Sequence, residues 1–221
     1  MNPCNALKLP APLVERDRAL NDDEILLFWL ACNEIGWPFG PLFQLVLLTA
    51  QRRDELAQAT WSEFDLDSAI WTLPRERTKN DKGHVVQLAS AALDILHSLP
   101  HIGSADYVFT TNGERPVSGW GRARERLAAA IAELNGGTNI KPFTLHDLRR
   151  SAATGMAGLG VAHHVVDKIL NHAAGKISGT AAIYNRHSYS DERGAALEGW
   201  ARHVVGLTRD PPDSVAPMRG A

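Results

Sequence analysis

Residues Leu42 to Ala50 read Leu-Phe-Gln-Leu-Val-Leu-Leu-Thr-Ala, and no other stretch restricts the fold as much. A helix that is apolar on nearly all sides has no face to give to water, so it has to be surrounded by other elements. At nine residues it is far short of the roughly 20 needed to cross a bilayer, so protein must do the surrounding. We therefore expect a central core helix, with Pro41 as its first residue and Gly36-Trp-Pro-Phe-Gly40 as the loop before it. The chain has 221 residues, 44% of them hydrophobic, which is enough to build a core around this helix.

The flanking segments supply its neighbours. Asn21-Asp-Asp-Glu24 has the spacing of a capping box and opens a helix to about Asn33. A short helix is expected near Arg53 to Ala59. Ala69-Ile-Trp-Thr-Leu and His84-Val-Val-Gln-Leu read as two strands joined by the polar run Pro74 to Gly83. Ser90 can cap a helix to about Leu99. Tyr107 to Thr110 is strand-like, and Ser118 to Leu134 is a long helix ending at Gly136-Gly137. Thr144 and Asp147 cap a helix over 145–157. Further helices are expected at 162–170, near 180–185, and from Ser190 to about Gly206. The fold class is α+β, mostly helical, with a small antiparallel sheet between helices. Residues 1–20, with three prolines, read as a linker or lead-in, 21–207 as one domain, and 208–221 as a disordered tail.

Bulk chemistry excludes several roles. A net charge of −2 rules out coating nucleic acid by overall charge, so any polyanion must be met by a local cluster. Two cysteines, Cys4 and Cys32, give neither a disulfide framework nor metal-ligand spacing. A signal peptide and a membrane span are both missing from the pattern, which leads us to expect a cytoplasmic chain with no membrane partner. No metal site or cofactor is expected. A hydrolase built on His163, His164 and His172 is disfavoured, because adjacent helical histidines diverge by about 100° and no His-Glu-x-x-His pattern occurs.

Local chemistry concentrates in five segments. In Thr144-Leu-His-Asp-Leu-Arg-Arg-Ser, His146 and Arg149 lie three apart and project to one side of a helix. Leu145, Leu148, Ala152 and Met156 form an apolar stripe beside them. Arg149 borders that stripe, and Arg150 points further out. A half-buried Arg with a His suits an anion such as a phosphate, and it equally suits an ordinary solvated helix face. In Gln51-Arg-Arg-Asp-Glu55, Arg52 ends the buried helix and wants Glu55 as a partner, either as a plain ion pair or as part of a site. Lys79 lies in the basic turn Arg75-Glu-Arg-Thr-Lys, a solvated hairpin tip or a group able to reach a substrate. His172 closes Ile169-Leu-Asn-His, where a capping role is also open. Tyr184, in Ile183-Tyr-Asn-Arg-His, is either filler or a phenol acidified by nearby cations.

Taken in order, Arg-x-x-Glu after a buried helix, Lys in a hairpin, His-x-x-Arg, Leu-Asn-His and Tyr resemble the catalytic domain of the tyrosine recombinases, the phage-integrase family. The resemblance covers roughly residues 20 to 205 and is nearest to integrases of prophages and genomic islands. It implies a site-specific recombinase that breaks and rejoins DNA through a 3′-phosphotyrosyl intermediate, without metal. It assigns Arg52 and Arg149 to a clamp on the scissile phosphate and Lys79 to the general acid for the leaving 5′-oxygen. His146 would assist proton transfer, His172 would bond the phosphate, and Tyr184 would be the nucleophile. Implied partners are double-stranded attachment-site DNA, three further copies in a homo-tetramer, and accessory DNA-bending or excision factors.

Departures from the family pattern sharpen the expectations. Ala50 stands where the family usually has Gly, Tyr189 competes with Tyr184, and Arg53 and Arg150 adjoin the two clamp arginines. Nothing upstream corresponds to arm-binding or core-binding domains, so a catalytic-domain fragment or truncated gene is expected. An inactive DNA-binding remnant and a type IB topoisomerase-like strand transferase are the alternatives. The last helix carries Leu197, Trp200 and Val204 at helical spacing, to pack on its own core or on a neighbouring subunit.

Overall fold

In a computed structural model of the chain, residues 17–78, 83–171 and 188–209 are described. The order is α1 (Asp22–Ile35), α2 (Phe39–Thr49), α3 (Arg53–Ala57), β1 (Phe64–Asp65), β2 (Ile70–Leu73), β3 (His84–Gln87), α4 (Ser90–Ser98), α5 (Trp120–Leu134), α6 (Leu145–Gly158), α7 (His163–Ile169) and α8 (Ser190–Arg209). This is the mostly helical α+β class that the sequence indicates. Residues 1–16, 79–82, 172–187 and 210–221 lie outside the described set, and with them the expected helix near 180–185 and most of the tail.

α2 is the axle of the fold. Every residue from Leu42 to Thr49 is buried, and α1, α3, α4, α6 and α8 all pack against it. Its one awkward side chain, Gln44, donates to Asn33 Oδ1 on α1 at 2.8 Å, which satisfies a polar group that burial would otherwise penalise. The helix starts at Phe39, two residues before Pro41. Phe39 is drawn in because its ring packs against Phe43 and Trp120. The close crossing of α1 over this start requires Gly40, where a Cβ would sit 2.1 Å from the Cys32 carbonyl oxygen.

The capping box at the head of α1 is formed, with Glu24 N donating to Asn21 Oδ1 at 2.9 Å and Asn21 N to the Glu24 carboxylate at 3.0 Å. Residues 17–20, the described end of the lead-in, pack onto the fold. Arg18 forks onto both oxygens of Glu24, and Leu20 is buried with its N–H on Ser151 Oγ. At the other end α8 runs to Arg209, past the boundary drawn at 207.

The sheet is three-stranded and antiparallel in the order β1-β2-β3. Trp71 and Leu73 of β2 and His84 and Val86 of β3 face inward and are buried, while Thr72 and Val85 face out. β1 is only two residues long, too short to show an alternating pattern. Tyr107 to Thr110 contributes an isolated bridge, Thr60 to Tyr107, rather than a strand. Ser90 does not cap α4, since Ala89 holds that position. Instead Glu198 of α8 accepts from both the N–H and the hydroxyl of Ser90, at 2.8 and 3.0 Å, and so caps α4 from the far end of the chain. α8 packs in cis. Leu197, Trp200 and Val204 are at most 1% exposed within this chain's own core, and Trp200 Nε1 donates to Leu47 O of α2 at 2.9 Å. Among the described residues no helix is long and apolar enough to cross a membrane.

Candidate functional site

A cleft of about 330 Å³ opens where the α2–α3 junction meets the start of α6 and the flank of α5. Arg52, Arg53, Arg124, His146 and Arg149 line it against one carboxylate, Asp54. Asp54 is already spent on Arg53, which grips it through Nε and Nη2 at 2.7 and 2.9 Å. The cleft is therefore a pocket of excess positive charge on a chain whose net charge is negative.

The two clamp candidates are held by different means. Arg52 directly precedes α3, and Glu55 binds both its main chain and its side chain, accepting from Arg52 N at 2.9 Å and from Nη1 at 2.7 Å. Arg52 stays partly exposed while Glu55 is buried beneath it. Arg149 is 3% exposed, and among the described residues no carboxylate pairs with it. Its Nη1 donates to Ala50 O at 2.6 Å and its Nη2 to Leu170 O. These carbonyls lie at the C-terminal ends of α2 and α7, where each helix dipole presents partial negative charge. Two helix ends thus offset a buried cation that would otherwise be prohibitive. Burial, and after it the neighbouring Arg52, pulls the Arg149 guanidinium down to about 10, with Glu55 opposing, so it stays charged at neutral pH.

Ala50 explains why a family habit exists here. It closes α2 at φ +55° with no exposed surface, in the left-handed region that Gly enters freely and Ala enters at a cost. That conformation turns its carbonyl toward Arg149.

α6 carries the rest. Thr144 and Asp147 form the expected capping box, with Thr144 N on Asp147 Oδ2 at 2.7 Å. His146 projects from the exposed side of the first turn into the cleft beside Arg149. Desolvation first, then Arg150 and Arg149, lower its pKa, with Asp147 opposing. A neutral imidazole can accept a proton there. Arg150 sits outside the cleft lining and pairs with Asp147 at 2.8 Å, while Arg149 lies buried beside the apolar stripe.

Lys79, His172 and Tyr184 lie outside the described residues, but their flanks are in view. Thr78, immediately before Lys79, shares a depression with Arg52. Arg77 ties that turn down by donating to Glu63 and to the main-chain oxygen of Glu55. Asn171, immediately before His172, follows the Leu170 carbonyl that holds Arg149. Tyr189, the competing nucleophile, has its ring against His164 at 4.8 Å between centroids. Among the described residues, no group of three His, Cys, Asp or Glu side chains is gathered as metal ligands.

Arg124 is a cleft residue that sequence reading missed. The signal was present, because Arg122, Arg124 and Arg126 crowd the first two turns of α5, where the helix dipole disfavours cations. Arg126 answers this by donating to Ile35 O at the C-terminus of α1. Arg124 instead faces the cleft.

Known proteins share this chain's family profile and its fold. The profile of the phage integrase family matches residues 18–191. Prophage integrase IntA of Escherichia coli (strain K12) is 30% identical over 161 residues, covering 72% of this chain and 37% of that protein. The chain thus spans roughly two-fifths of the length of the curated relatives it matches. A crystal structure of XerA recombinase has the same fold, with a TM-score of 0.59 at 20% identity, over 93% of this chain and 68% of that one. So does lambda integrase, solved as a tetramer bound to a Holliday junction, with a TM-score of 0.56 at 17% identity over 75% of this chain and 50% of that one. With most of its described length inside the family profile and its fold shared, this chain belongs to the phage integrase family.

Proposed function

We propose that the chain is the catalytic part of a tyrosine-type site-specific DNA recombinase, acting to integrate or excise a prophage or genomic island in the compartment that holds the chromosome. The observation that carries this reading is the shared cleft of Arg52 and Arg149, with His146 at its rim and, among the described residues lining it, no free carboxylate to repel a phosphate. Arg52 and Arg149 would bind the non-bridging oxygens of one phosphodiester and offset the charge that grows as it is attacked. Tyr184 would attack phosphorus through its phenolic oxygen, with His146 assisting loss of the phenol proton. The 5′-oxygen would leave as Lys79 protonates it, and His172 would bond the phosphate. The bond energy stays in the phosphotyrosine, so a 5′-hydroxyl from a partner strand can reverse the step.

Double-stranded core-site DNA is the proposed ligand and a homo-tetramer the proposed assembly, in line with the lambda integrase tetramer on its junction. Accessory bending or excision factors belong to the same proposal. The catalytic unit, placed at 21–207 from sequence, would also take in Arg18 and Arg209.

The test uses nicked suicide duplexes drawn from the chromosomal junctions that flank the gene, in EDTA. A covalent protein–DNA adduct that disappears in Tyr184→Phe and persists in Tyr189→Phe is the expected result. DNA binding without any adduct would favour an inactive remnant. An adduct that requires added metal would refute the mechanism.

A further inference from the structure

Behind the cleft two helices end close together. α2 stops at Thr49 and α7 at Ile169, and each leaves terminal carbonyls that no N–H of its own helix reaches. Gln51 and Arg149 reach both ends, and His84 of β3 holds that of α7. Gln51 Nε2 donates to Thr49 O at 2.8 Å and to Ile169 O at 2.9 Å. His84 Nε2 lies 3.2 Å from the same Ile169 O, and since a carbonyl only accepts, that nitrogen carries the hydrogen. Arg149 spans the next pair, Ala50 O and Leu170 O. The direction of the Arg149 guanidinium is thus set by two main-chain oxygens, and one of them, Leu170 O, stands directly after the carbonyl that Gln51 and His84 hold.

Neither polar residue is there for packing. Gln51 has no exposed surface, and its Oε1 has no hydrogen-bond partner among the described residues, a penalty that an apolar side chain of equal size would not incur. His84 occupies an inward position of β3, where the alternation that places Trp71, Leu73 and Val86 calls for an apolar residue. Each instead donates to the end of α7.

We propose that Gln51 and His84 are positioning residues for Arg149. Gln51 locks the end of α7 to the end of α2 and His84 ties it to β3, and together they fix the aim of the guanidinium at the phosphodiester. The proposal rests on the recombinase reading above and deepens it. Among the described residues the charged groups around His84 are Arg193 from α8, Glu55 from α3 and Arg149 from α6, with Arg193 also held by Val85 O of β3 at 2.9 Å.

Single-turnover cleavage of the nicked duplex at saturating protein reads the aim directly. Gln51→Met and His84→Met are expected to slow cleavage about 100-fold while DNA affinity changes less than about threefold, because a misaimed clamp loses transition-state contacts before ground-state charge. His84→Gln, which restores an N–H donor near the place of Nε2, should recover most of the rate. In an Arg149→Ala background Gln51→Met should add no further loss. Cleavage at the wild-type rate in both Met variants would overturn the proposal, as would fully additive losses with Arg149→Ala. Rate and affinity falling together, with no recovery in His84→Gln, would reveal support of the fold alone and would overturn it as well. If the wild-type protein forms no adduct, the recombinase reading fails, and the positioning is read without DNA from the 15N spectrum of the Arg149 guanidinium. Slow Nη exchange in the wild type that averages in both Met variants supports the proposal, and unchanged spectra refute it.

Discussion

Gly155 lies on α6, two turns beyond Arg149, and faces Trp200 of α8. A Cβ at this position would meet Trp200 Cζ3 at 2.2 Å and Cε3 and Cη2 at 2.8 Å, more than 1 Å inside contact distance for the nearest atom. The indole cannot retreat, because it is fully buried, donates to Leu47 O at 2.9 Å and stacks on His203. In an open helix Gly→Ala gains about 1 kcal/mol of propensity. Overpacking against a fixed ring costs about 3 kcal/mol, the upper end of its usual range, since one side is a rigid aromatic. Gly155→Ala should therefore lose a net ~2 kcal/mol, or about 4–8 °C in Tm for a domain of this size. Gly199→Ala, on α8 where an added Cβ meets nothing within 4 Å, should instead gain up to about 1 kcal/mol. Urea and thermal unfolding followed by circular dichroism measure both. Because the clashing atoms belong to the six-membered ring of the indole, Trp200→Leu should relieve the clash, and the double mutant should be more stable than the sum of the single losses. A Gly155→Ala protein as stable as the wild type would refute the claim that this contact sets the spacing of α6 and α8.

Acid should unfold the protein partly through His84. Burial first, against its bond to Ile169 O, pushes its pKa down from 6.5 to about 4. A histidine lowered in the folded state gives its full stability above the unfolded pKa and loses it as pH falls through the folded one. Stability should therefore drop by about 3 kcal/mol between pH 6.5 and 4, and His84→Gln should flatten that slope in urea titrations. Glu198→Ala uncaps α4 from a distance and should cost about 1 kcal/mol in chemical unfolding, with Ser90→Ala costing less because its N–H keeps the carboxylate. Arg77→Ala leaves the half-buried Glu63 with the Trp71 Nε1 donor at 2.9 Å and should cost about 1 kcal/mol. It should also slow cleavage, since it unties the turn before Lys79 from α3.

What could be read from sequence was what is encoded locally. The Asn21–Glu24 and Thr144–Asp147 boxes close within one turn, so spacing alone reveals them. The choice of Arg149 over Arg150 follows from helical phase against the stripe of Leu145, Leu148, Ala152 and Met156. The burial of α2 follows from having no polar face. What stayed hidden depends on partners far along the chain. The Ser90 N–H is satisfied by Glu198, 108 residues away, and the Arg149 acceptor at Ala50 lies 99 residues back. No local pattern marks a main-chain oxygen as a ligand. The early start of α2 likewise reflects Phe39 meeting Trp120 across the fold.

The main-chain anchorage of Arg149 also bears on how much substitution the site can absorb. An acceptor that belongs to the peptide group cannot be deleted by any side-chain change, so the oxygen of Leu170 survives any substitution that still fills the core around this buried side chain. The vulnerable position is Ala50, where the requirement falls on backbone path rather than on chemistry. At φ +55° with no exposed surface Gly would serve, and a β-branched residue would swing the carbonyl away. Drift in this clamp should therefore be limited by side-chain volume at Leu170 and by backbone path at Ala50, and a mutational scan scored for folding and cleavage would separate the two.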